Sequence, residues 1–286
     1  MAAVGTGPTE QEQESVARAN ESGRHPVVLV HGLWLLSTSW DRWVDFFTEA
    51  GYAVVTPGWP GDPGSVAEAH ANPDVFAGTG IGAVADHLQA VVEGLDRKPA
   101  TIGHSFGGLL VQMLAGRGLS AVTVAIDPAP SRGVLALPMA ALRSSSAVLA
   151  KPTNRSRAVT LTWEQFRYGF ANAVPEDEAR TLFEQHHVPG SGTPVFQAAF
   201  ANMNPATELK VDTKRADRGP MLIISGEHDH QVPPAMAHGG YKKQRKNTDN
   251  VTELHDMPGR GHSLTIDSGW REVAQTSLDF IARFVP

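Results

Sequence analysis

The sequence predicts an α/β protein, built from a mainly parallel sheet flanked by helices, with a helical cap inserted between two strands. Three observations carry this prediction. From Pro26 onward, short apolar runs alternate with helical patterns, which is typical of βαβ units. The apolar runs are uninterrupted, as expected of strands buried on both faces. Between residues 131 and 210 the strand rhythm stops and only helical patterns follow, so this stretch predicts the cap.

The core elements follow one another along the chain. The helix at 39–50 carries an apolar stripe that includes Trp40, Trp43 and Phe47, and Gly51 ends it. The remaining elements rest on the same kinds of pattern. Strands are predicted at 27–30, 53–55, 101–102, 122–126, 221–224 and 251–254, and core helices at 39–50, 82–95 and 109–115.

The cap is predicted to contain helices at 135–150, 162–174, 175–188 and 194–202. Thr162 with Gln165 fits a capping box, and Pro175 suits a first helical position. A helical insertion between two strands of a parallel sheet is expected to form a lid over the carboxyl edge of that sheet. The chain therefore divides into a polar N-terminal tail (1–25), a core domain (26–130 and 211–286) and a helical cap (131–210).

Bulk properties limit the classes of function. The chain has 286 residues and a formal net charge of -6, which argues against a nucleic-acid partner. It has no cysteine, which excludes disulfides, thiolate metal sites and a cysteine nucleophile. No stretch is apolar and long enough to span a bilayer, and the first 25 residues lack the apolar core of a signal peptide. We expect a cytoplasmic monomer or homodimer that does not associate with membranes.

Residues 103–107 match the pattern G-x-S-x-G, with Ser105 at its centre. The pattern follows a predicted strand and opens a helix, which is the setting in which a serine sits on a sharp strand-to-helix turn. Glycines on both sides allow the backbone to pass close to itself. The sequence therefore predicts that Ser105 projects out of the sheet as a nucleophile.

A serine nucleophile needs a base, and the base needs an orienting acid. Asp229 follows the strand predicted at 221–224, and His262 lies on a glycine-rich loop after the last strand. Both are therefore expected at the carboxyl edge of the sheet, near Ser105. The sequence predicts Ser105, Asp229 and His262 as the catalytic residues.

From Pro26 to the end, the chain resembles a lid-bearing serine hydrolase of the α/β-hydrolase fold, of the esterase and lipase type. The matching segments are 28–32 (VLVHG), 103–108 (GHSFGG), 226–229 (GEHD) with 232–233 (VP), and 261–262 (GH). The resemblance implies an oxyanion hole made by the backbone N–H groups of Leu33 and Phe106, although another loop register would present Trp34. Most members begin with an antiparallel hairpin, which this chain lacks, so we expect a six-stranded sheet.

Several alternatives stay open. Asp127 ends the strand at 122–126 and could supply the acid in place of Asp229. His228, Asp229 and His230 could be imagined as metal ligands, but neighbouring residues of one loop rarely converge without further partners, so we expect no metal. His104 is expected to be packed, hydrogen-bonded and turned away from the nucleophile.

The residues favour hydrolysis of a carboxylic ester or lactone of a small, moderately apolar molecule through an acyl-enzyme, with no cofactor. Trp34 is expected to bind substrate as a wall of the pocket. The same triad serves cofactor-free C–C hydrolases, perhydrolases and lyases, because a fold does not fix a reaction. A ligand-binding receptor on a hydrolase scaffold is the alternative from a different class.

Overall fold

The computed structural model describes residues 7–285. Six of its strands form one sheet in the order β2-β1-β3-β4-β7-β8, and every neighbouring pair is parallel. The strands are β1 (Pro26–Val30), β2 (Ala53–Val55), β3 (Ala100–His104), β4 (Val122–Ile126), β5 (Ala158–Val159), β6 (Gly190–Ser191), β7 (Met221–Gly226) and β8 (Thr252–Met257). The predicted α/β class and the six-stranded sheet are confirmed, and the sheet is parallel throughout.

Helices cover both faces of this sheet. The helices are α1 (Glu10–Glu21), α2 (Asp41–Glu49), α3 (Val66–Ala71), α4 (Ile81–Glu93), α5 (Phe106–Gly116), α6 (Met139–Leu149), α7 (Trp163–Gly169), α8 (Glu176–His186), α9 (Thr193–Phe200), α10 (Pro234–Gln244) and α11 (Trp270–Ile281). Helices α1, α4, α5 and α10 bury side chains in the core on one face, and α2 and α11 do so on the other.

The two cores arise from the alternation of side chains along each strand. In β1, Val27 and Leu29 belong to the core under α2 and α11, whereas Val28 and Val30 belong to the core under α4 and α5. All four side chains are fully buried. Because the strands are parallel, the loops that follow β1, β3, β4, β7 and β8 leave the sheet at one edge, and this edge holds the candidate site.

Part of the predicted N-terminal tail is a helix, α1, which the sequence analysis did not predict. Thr9 and Glu12 form a capping box at its start. Glu12, Val16 and Ala19 are buried at a helical spacing, and Glu12 accepts a hydrogen bond from the backbone of Gly58. The helix packs against β2 and α4. Residues 1–6 of the tail lie outside the described residues, and the division of the chain into tail, core and cap stays a prediction.

The helices of the predicted cap lie within two residues of their predicted bounds except at two ends. Helix α6 begins at Met139 rather than at 135, because the residue before Pro138 is disfavoured in helical conformation. Helix α7 ends at Gly169 rather than at 174, and the Phe170 carbonyl instead accepts a hydrogen bond from Ser263.

The cap also contains a short antiparallel pair, β5 with β6, that the sequence analysis did not predict. Strands of two residues leave no periodic pattern to detect. Over residues 7–285, no helix is long and apolar enough to cross a membrane.

Candidate active site

Ser105 occupies a sharp turn between β3 and α5. Its backbone has φ 58° and ψ -120°, a conformation that residues other than glycine adopt rarely and at a cost of roughly 1–3 kcal/mol. The turn is held by its neighbours: the Ser105 N–H donates to the Ile126 carbonyl at 2.9 Å, and the Ser105 carbonyl accepts from Ala129 at 2.9 Å. These two hydrogen bonds to the end of β4 and the residues after it therefore hold Ser105 in its strained backbone conformation.

The glycines of the G-x-S-x-G pattern are required by close backbone contacts. A Cβ atom on Gly103 would overlap the carbonyl oxygen of Gly107. A Cβ atom on Gly107 would overlap the carbonyl oxygen of Val30 and would lie 2.7 Å from that of His31. Strand β1, the turn and the start of α5 are therefore packed backbone against backbone, which sets the position of Ser105.

Asp229 and His262 form a buried hydrogen-bonded pair at the same edge. Nδ1 of His262 donates to Oδ2 of Asp229 at 2.6 Å, and both side chains are almost fully buried. The other carboxylate oxygen, Oδ1, accepts from the backbone N–H groups of Gln231 at 2.6 Å and Val232 at 2.8 Å. Three N–H donors thus fix the Asp229 carboxyl, and Asp229 in turn orients the imidazole.

His262 packs against His104, the residue that directly precedes Ser105. The two imidazole rings are 4.5 Å apart between centroids. His104 is packed and buried as predicted, and its ring lies within hydrogen-bonding reach of the backbone of His262. Burial, and then the positive charge of His262, hold the pKa of His104 well below its usual value. His104 is therefore a neutral packing surface for the imidazole of His262.

Asp127 follows β4 and lies in the same buried group. Its Oδ1 accepts from the Gly226 N–H at 2.7 Å, and its side chain lies within hydrogen-bonding reach of the Asp229 carboxyl group. Burial raises the pKa of Asp127 well above its usual value, and the charge of Asp229 raises it further. The sequence offered Asp127 as an alternative acid, but the carboxylate that accepts from Nδ1 of His262 is that of Asp229.

Three backbone N–H groups are available near Ser105, those of Phe106, Leu33 and Trp34. Phe106 is the first residue of α5, so its N–H has no partner within the helix. In the loop after β1, the N–H groups of Leu33 and Trp34 donate no hydrogen bond within residues 7–285. Trp34 has φ 67°, and a Cβ on Gly32 would lie 2.8 Å from Cβ of Ser105, so this loop passes directly against the serine.

A cavity of about 240 Å³ adjoins Ser105. None of the described residues that line it is charged, and most are aliphatic. Trp34, the pocket wall predicted from the sequence, belongs to its lining together with Phe106, and α6 and α9 contribute further lining residues. The contribution of α6 and α9 was missed, because no local pattern shows which cap side chains face the sheet.

One group of side chains in residues 7–285 has the spacing of metal ligands. Potential ligand atoms of His104, Asp127 and His262 all lie within 4.8 Å of one another. His262 already donates a hydrogen bond to Asp229, Asp127 already accepts one from the Gly226 N–H, and the whole group is buried. We therefore do not assign these residues as metal ligands.

Solved structures that resemble this chain are ester-cleaving and related proteins. A monoacylglycerol lipase from Paleococcus ferrophilus is 21% identical, with a TM-score of 0.63, over 91% of this chain and 94% of its own. A thermophilic esterase from Thermogutta terrifontis is 17% identical, with a TM-score of 0.61, over 92% and 91%. Tomato methylketone synthase I is 15% identical, with a TM-score of 0.64, over 91% and 99%. At these identities the likeness shows the fold alone.

No curated protein matches the sequence. The sequence profile of the alpha/beta hydrolase family matches residues 27–276, which span all six strands of the main sheet but for the first residue of β1. The match includes the serine turn, the Asp229–His262 pair and the helical segment between them. This chain belongs to the alpha/beta hydrolase family.

Proposed function

We propose that this chain is a serine hydrolase that cleaves a carboxylic ester or lactone of a small, moderately apolar substrate through an acyl-enzyme. The observation that carries the proposal is the 2.6 Å hydrogen bond between His262 and Asp229 at the sheet edge that also holds the strained Ser105. We assign Ser105 as nucleophile, His262 as general base and Asp229 as the orienting acid. The residues need no cofactor for this chemistry.

In the first half of the reaction, Oγ of Ser105 attacks the carbonyl carbon and Nε2 of His262 takes the hydroxyl proton. Asp229 stabilises the imidazolium through its hydrogen bond to Nδ1. The N–H groups of Leu33 and Phe106 are assigned to the oxyanion of the tetrahedral intermediate. The carbon–oxygen bond to the alcohol then breaks, and His262 gives its proton to the leaving oxygen.

In the second half, His262 removes a proton from water, and the hydroxide formed attacks the acyl ester on Ser105. The bond to Oγ breaks, His262 returns the proton to Ser105, and the carboxylic acid leaves. Both halves use the same base and the same oxyanion donors, so one buried imidazole serves the whole cycle.

The oxyanion assignment depends on how closely the loop after β1 approaches Ser105. In Gly32→Ala, the added Cβ would lie 2.8 Å from Cβ of Ser105 and 3.0 Å from the His104 carbonyl oxygen. The loop must move away and take the Leu33 N–H with it, so we expect kcat/KM for esters to fall by about 100-fold. Steady-state kinetics and a circular dichroism melt measure activity and fold together.

Gly240→Ala is the matched control, because a Cβ there meets nothing within 4 Å. Its activity is expected to equal that of the wild type. If Gly32→Ala kept kcat/KM within about threefold of the wild type, the loop would not supply an oxyanion donor.

The cavity beside Ser105 supports the substrate class. Its aliphatic, uncharged lining stabilises an apolar acyl group and disfavours a charged one, because a buried charge without a partner is costly. We therefore propose acyl groups of medium length, and we expect a neutral hexanoyl ester to react faster than an ester whose acyl chain ends in a carboxylate.

Ala199→Phe tests which cavity holds the acyl chain. Ala199 lines the cavity from α9 and is exposed, so a larger side chain there fills the cavity without disturbing the core. We expect kcat/KM for octanoyl esters to fall by about tenfold, with acetyl esters little affected. Ala67→Phe places the same change on an exposed alanine of α3 outside the cavity. An equal loss for both ester lengths would mean that the acyl chain binds elsewhere.

The proposed reaction is tested by treating the wild type with a fluorophosphonate and measuring the intact mass. One covalent adduct per chain, with turnover of an ester and lactone panel, supports the hydrolase. An adduct without ester turnover, but with cleavage of a diketone, favours C–C chemistry instead. No adduct together with a ligand-induced rise in melting temperature overturns the hydrolase and favours a receptor.

The remaining sequence-based expectations stay predictions. They are a cytoplasmic location, the absence of a nucleic-acid partner, and a monomeric or homodimeric state. Light scattering coupled to size-exclusion chromatography decides the oligomeric state directly.

A further inference from the structure

Two carboxyl groups, rather than one, face the imidazole of His262. Asp229 accepts from Nδ1 at 2.6 Å, and a carboxyl oxygen of Asp127 lies within 4.8 Å of a ring nitrogen of the same histidine. They reach this position from neighbouring strands of the sheet, since Asp127 follows β4 and Asp229 follows β7. Both side chains are buried, at 0% and 2% exposure. The reaction described above uses only Asp229, so the second carboxyl needs its own explanation.

The hydrogen bonds distinguish the two groups. Asp229 accepts from three N–H donors, which are the backbone groups of Gln231 and Val232 and Nδ1 of His262. Asp127 accepts from one N–H group, that of Gly226, and its side chain lies close enough to that of Asp229 for a hydrogen bond between the two carboxyl groups. Three donors stabilise a negative charge far better than one donor does, and two adjacent charges in a buried site repel each other. The charge therefore belongs on Asp229.

We propose that Asp127 and Asp229 form a buried carboxyl pair that holds one negative charge and one proton. The charge sits on Asp229 and the proton on Asp127, which makes Asp127 a positioning residue for the base. This inference rests on the proposed function for its catalytic meaning, but the protonation of Asp127 does not depend on any activity.

The surroundings of Asp127 fit a neutral group. Asp229 on the loop after β7 is negative, and His104 on β3 is neutral because burial depresses its pKa. The loop after β8 carries His262 and Arg260; the charge of Arg260 favours an ionised Asp127, but it ranks below burial and the charge of Asp229 among the causes of the pKa shift. Arg260 is itself held by Asp267 and by the carbonyl of Gly269, so it is not free to pair with Asp127.

The pair also gives the base a reserve acid. Burial is the larger cause that keeps Asp127 protonated, and repulsion by Asp229 adds to it; when Asp229 is replaced by a neutral residue, that second contribution is gone. Asp127 can then release its proton to solvent, and its carboxylate lies close enough to His262 to stabilise the imidazolium. Loss of the Asp229 charge should therefore cost less activity in this chain than the loss of an orienting acid usually does.

The protonated state is tested without substrate. In the wild type, ¹³C spectra of protein labelled at aspartate carboxyl carbons should show one aspartate that remains protonated at pH 7. Because this measurement uses the wild type, it does not depend on whether a variant folds. Complete ionisation of all aspartates at pH 7 would overturn the proposal.

Asp127→Asn gives a second readout through stability. A raised pKa in the fold means that the unfolded chain releases the Asp127 proton first as pH rises above the usual value of 3.8. The wild type therefore loses stability on this account as pH rises above that value, until Asp127 ionises in the fold as well, and the asparagine variant does not. We expect the melting temperature of Asp127→Asn, relative to wild type, to rise across this range. A relative fall would mean that Asp127 is ionised in the fold, and exposed Asp74→Asn is the control expected to show no such rise.

The catalytic role is tested by coupling two substitutions. We expect Asp229→Asn to lower kcat by about 100-fold and the double variant with Asp127→Asn by about 10⁴-fold, the loss typical of a missing orienting acid. A loss of about 10⁴-fold in Asp229→Asn alone would overturn the reserve role. If no ester is hydrolysed at all, the carboxyl spectra and the melting curves still show whether Asp127 is protonated. Failure of the proposed hydrolase function can therefore be distinguished from failure of the proposed carboxyl pair.

Discussion

Replacing Ser105 by alanine is expected to lower kcat for esters by about 10⁴- to 10⁶-fold and to abolish labelling by a fluorophosphonate. The hydroxyl is the only group of the proposed site that forms a bond with the substrate. Without it, His262 and the oxyanion donors can assist only the direct attack of water. Because alanine occupies less space than serine, the turn keeps its packing and the melting temperature should change little.

The measurement combines intact mass after labelling with single-turnover kinetics. Ser146→Ala is the matched control, since this exposed serine on α6 lies next to the cavity but outside its lining. It should keep both full labelling and full turnover. Ester turnover by Ser105→Ala near the wild-type rate would remove Ser105 from the role of nucleophile, whatever the geometry of the turn.

The sequence predicted the serine turn because every determinant of the turn is local. Residues 103–107 specify where the strand ends, where the helix begins and which positions must lack a Cβ atom. The placement of Asp229 and His262 at the same edge was also predictable, because both follow strands of a parallel sheet. These inferences needed only strand direction and chain order.

The relation between Asp127 and Asp229 was not predictable in the same way. Both follow neighbouring strands, and both could have faced the histidine. The difference lies in the donors that each carboxyl meets, three for Asp229 and one for Asp127. Which donors each carboxyl meets depends on the backbone conformation of the loops, including the positive φ of 40° at Asp127. The spacing of residues in the sequence does not predict that conformation.

Helix α1 and the cavity lining were also not predictable from local sequence patterns. The buried positions of α1 include Glu12, whose charge hides the apolar stripe from a hydrophobicity pattern. Its partner at the N–H of Gly58 is distant in sequence. In the cap, α6 and α9 line the cavity through side chains that any amphipathic helix could carry. Tertiary contacts, rather than local propensity, decide these features.

Gly107→Ala is expected to lower the free energy of unfolding by more than about 4 kcal/mol, although alanine normally stabilises a helix by about 1 kcal/mol relative to glycine. Gly107 lies in the first turn of α5, and an added Cβ would overlap the Val30 carbonyl oxygen of β1. Strand β1 cannot yield, because it is paired on both sides, with β2 and with β3.

Gly240→Ala makes the same helical substitution in α10 where a Cβ meets nothing within 4 Å, and it should stabilise the protein by about 1 kcal/mol. Urea denaturation of both variants measures the two effects on one scale. If Gly107→Ala lowers the free energy of unfolding and Gly240→Ala raises it, then Gly107 is required for the close approach of α5 to β1. A Gly107→Ala variant as stable as the wild type would mean that the helix can move away from β1, and the serine turn would then owe its position to Gly103 and the β4 contacts instead.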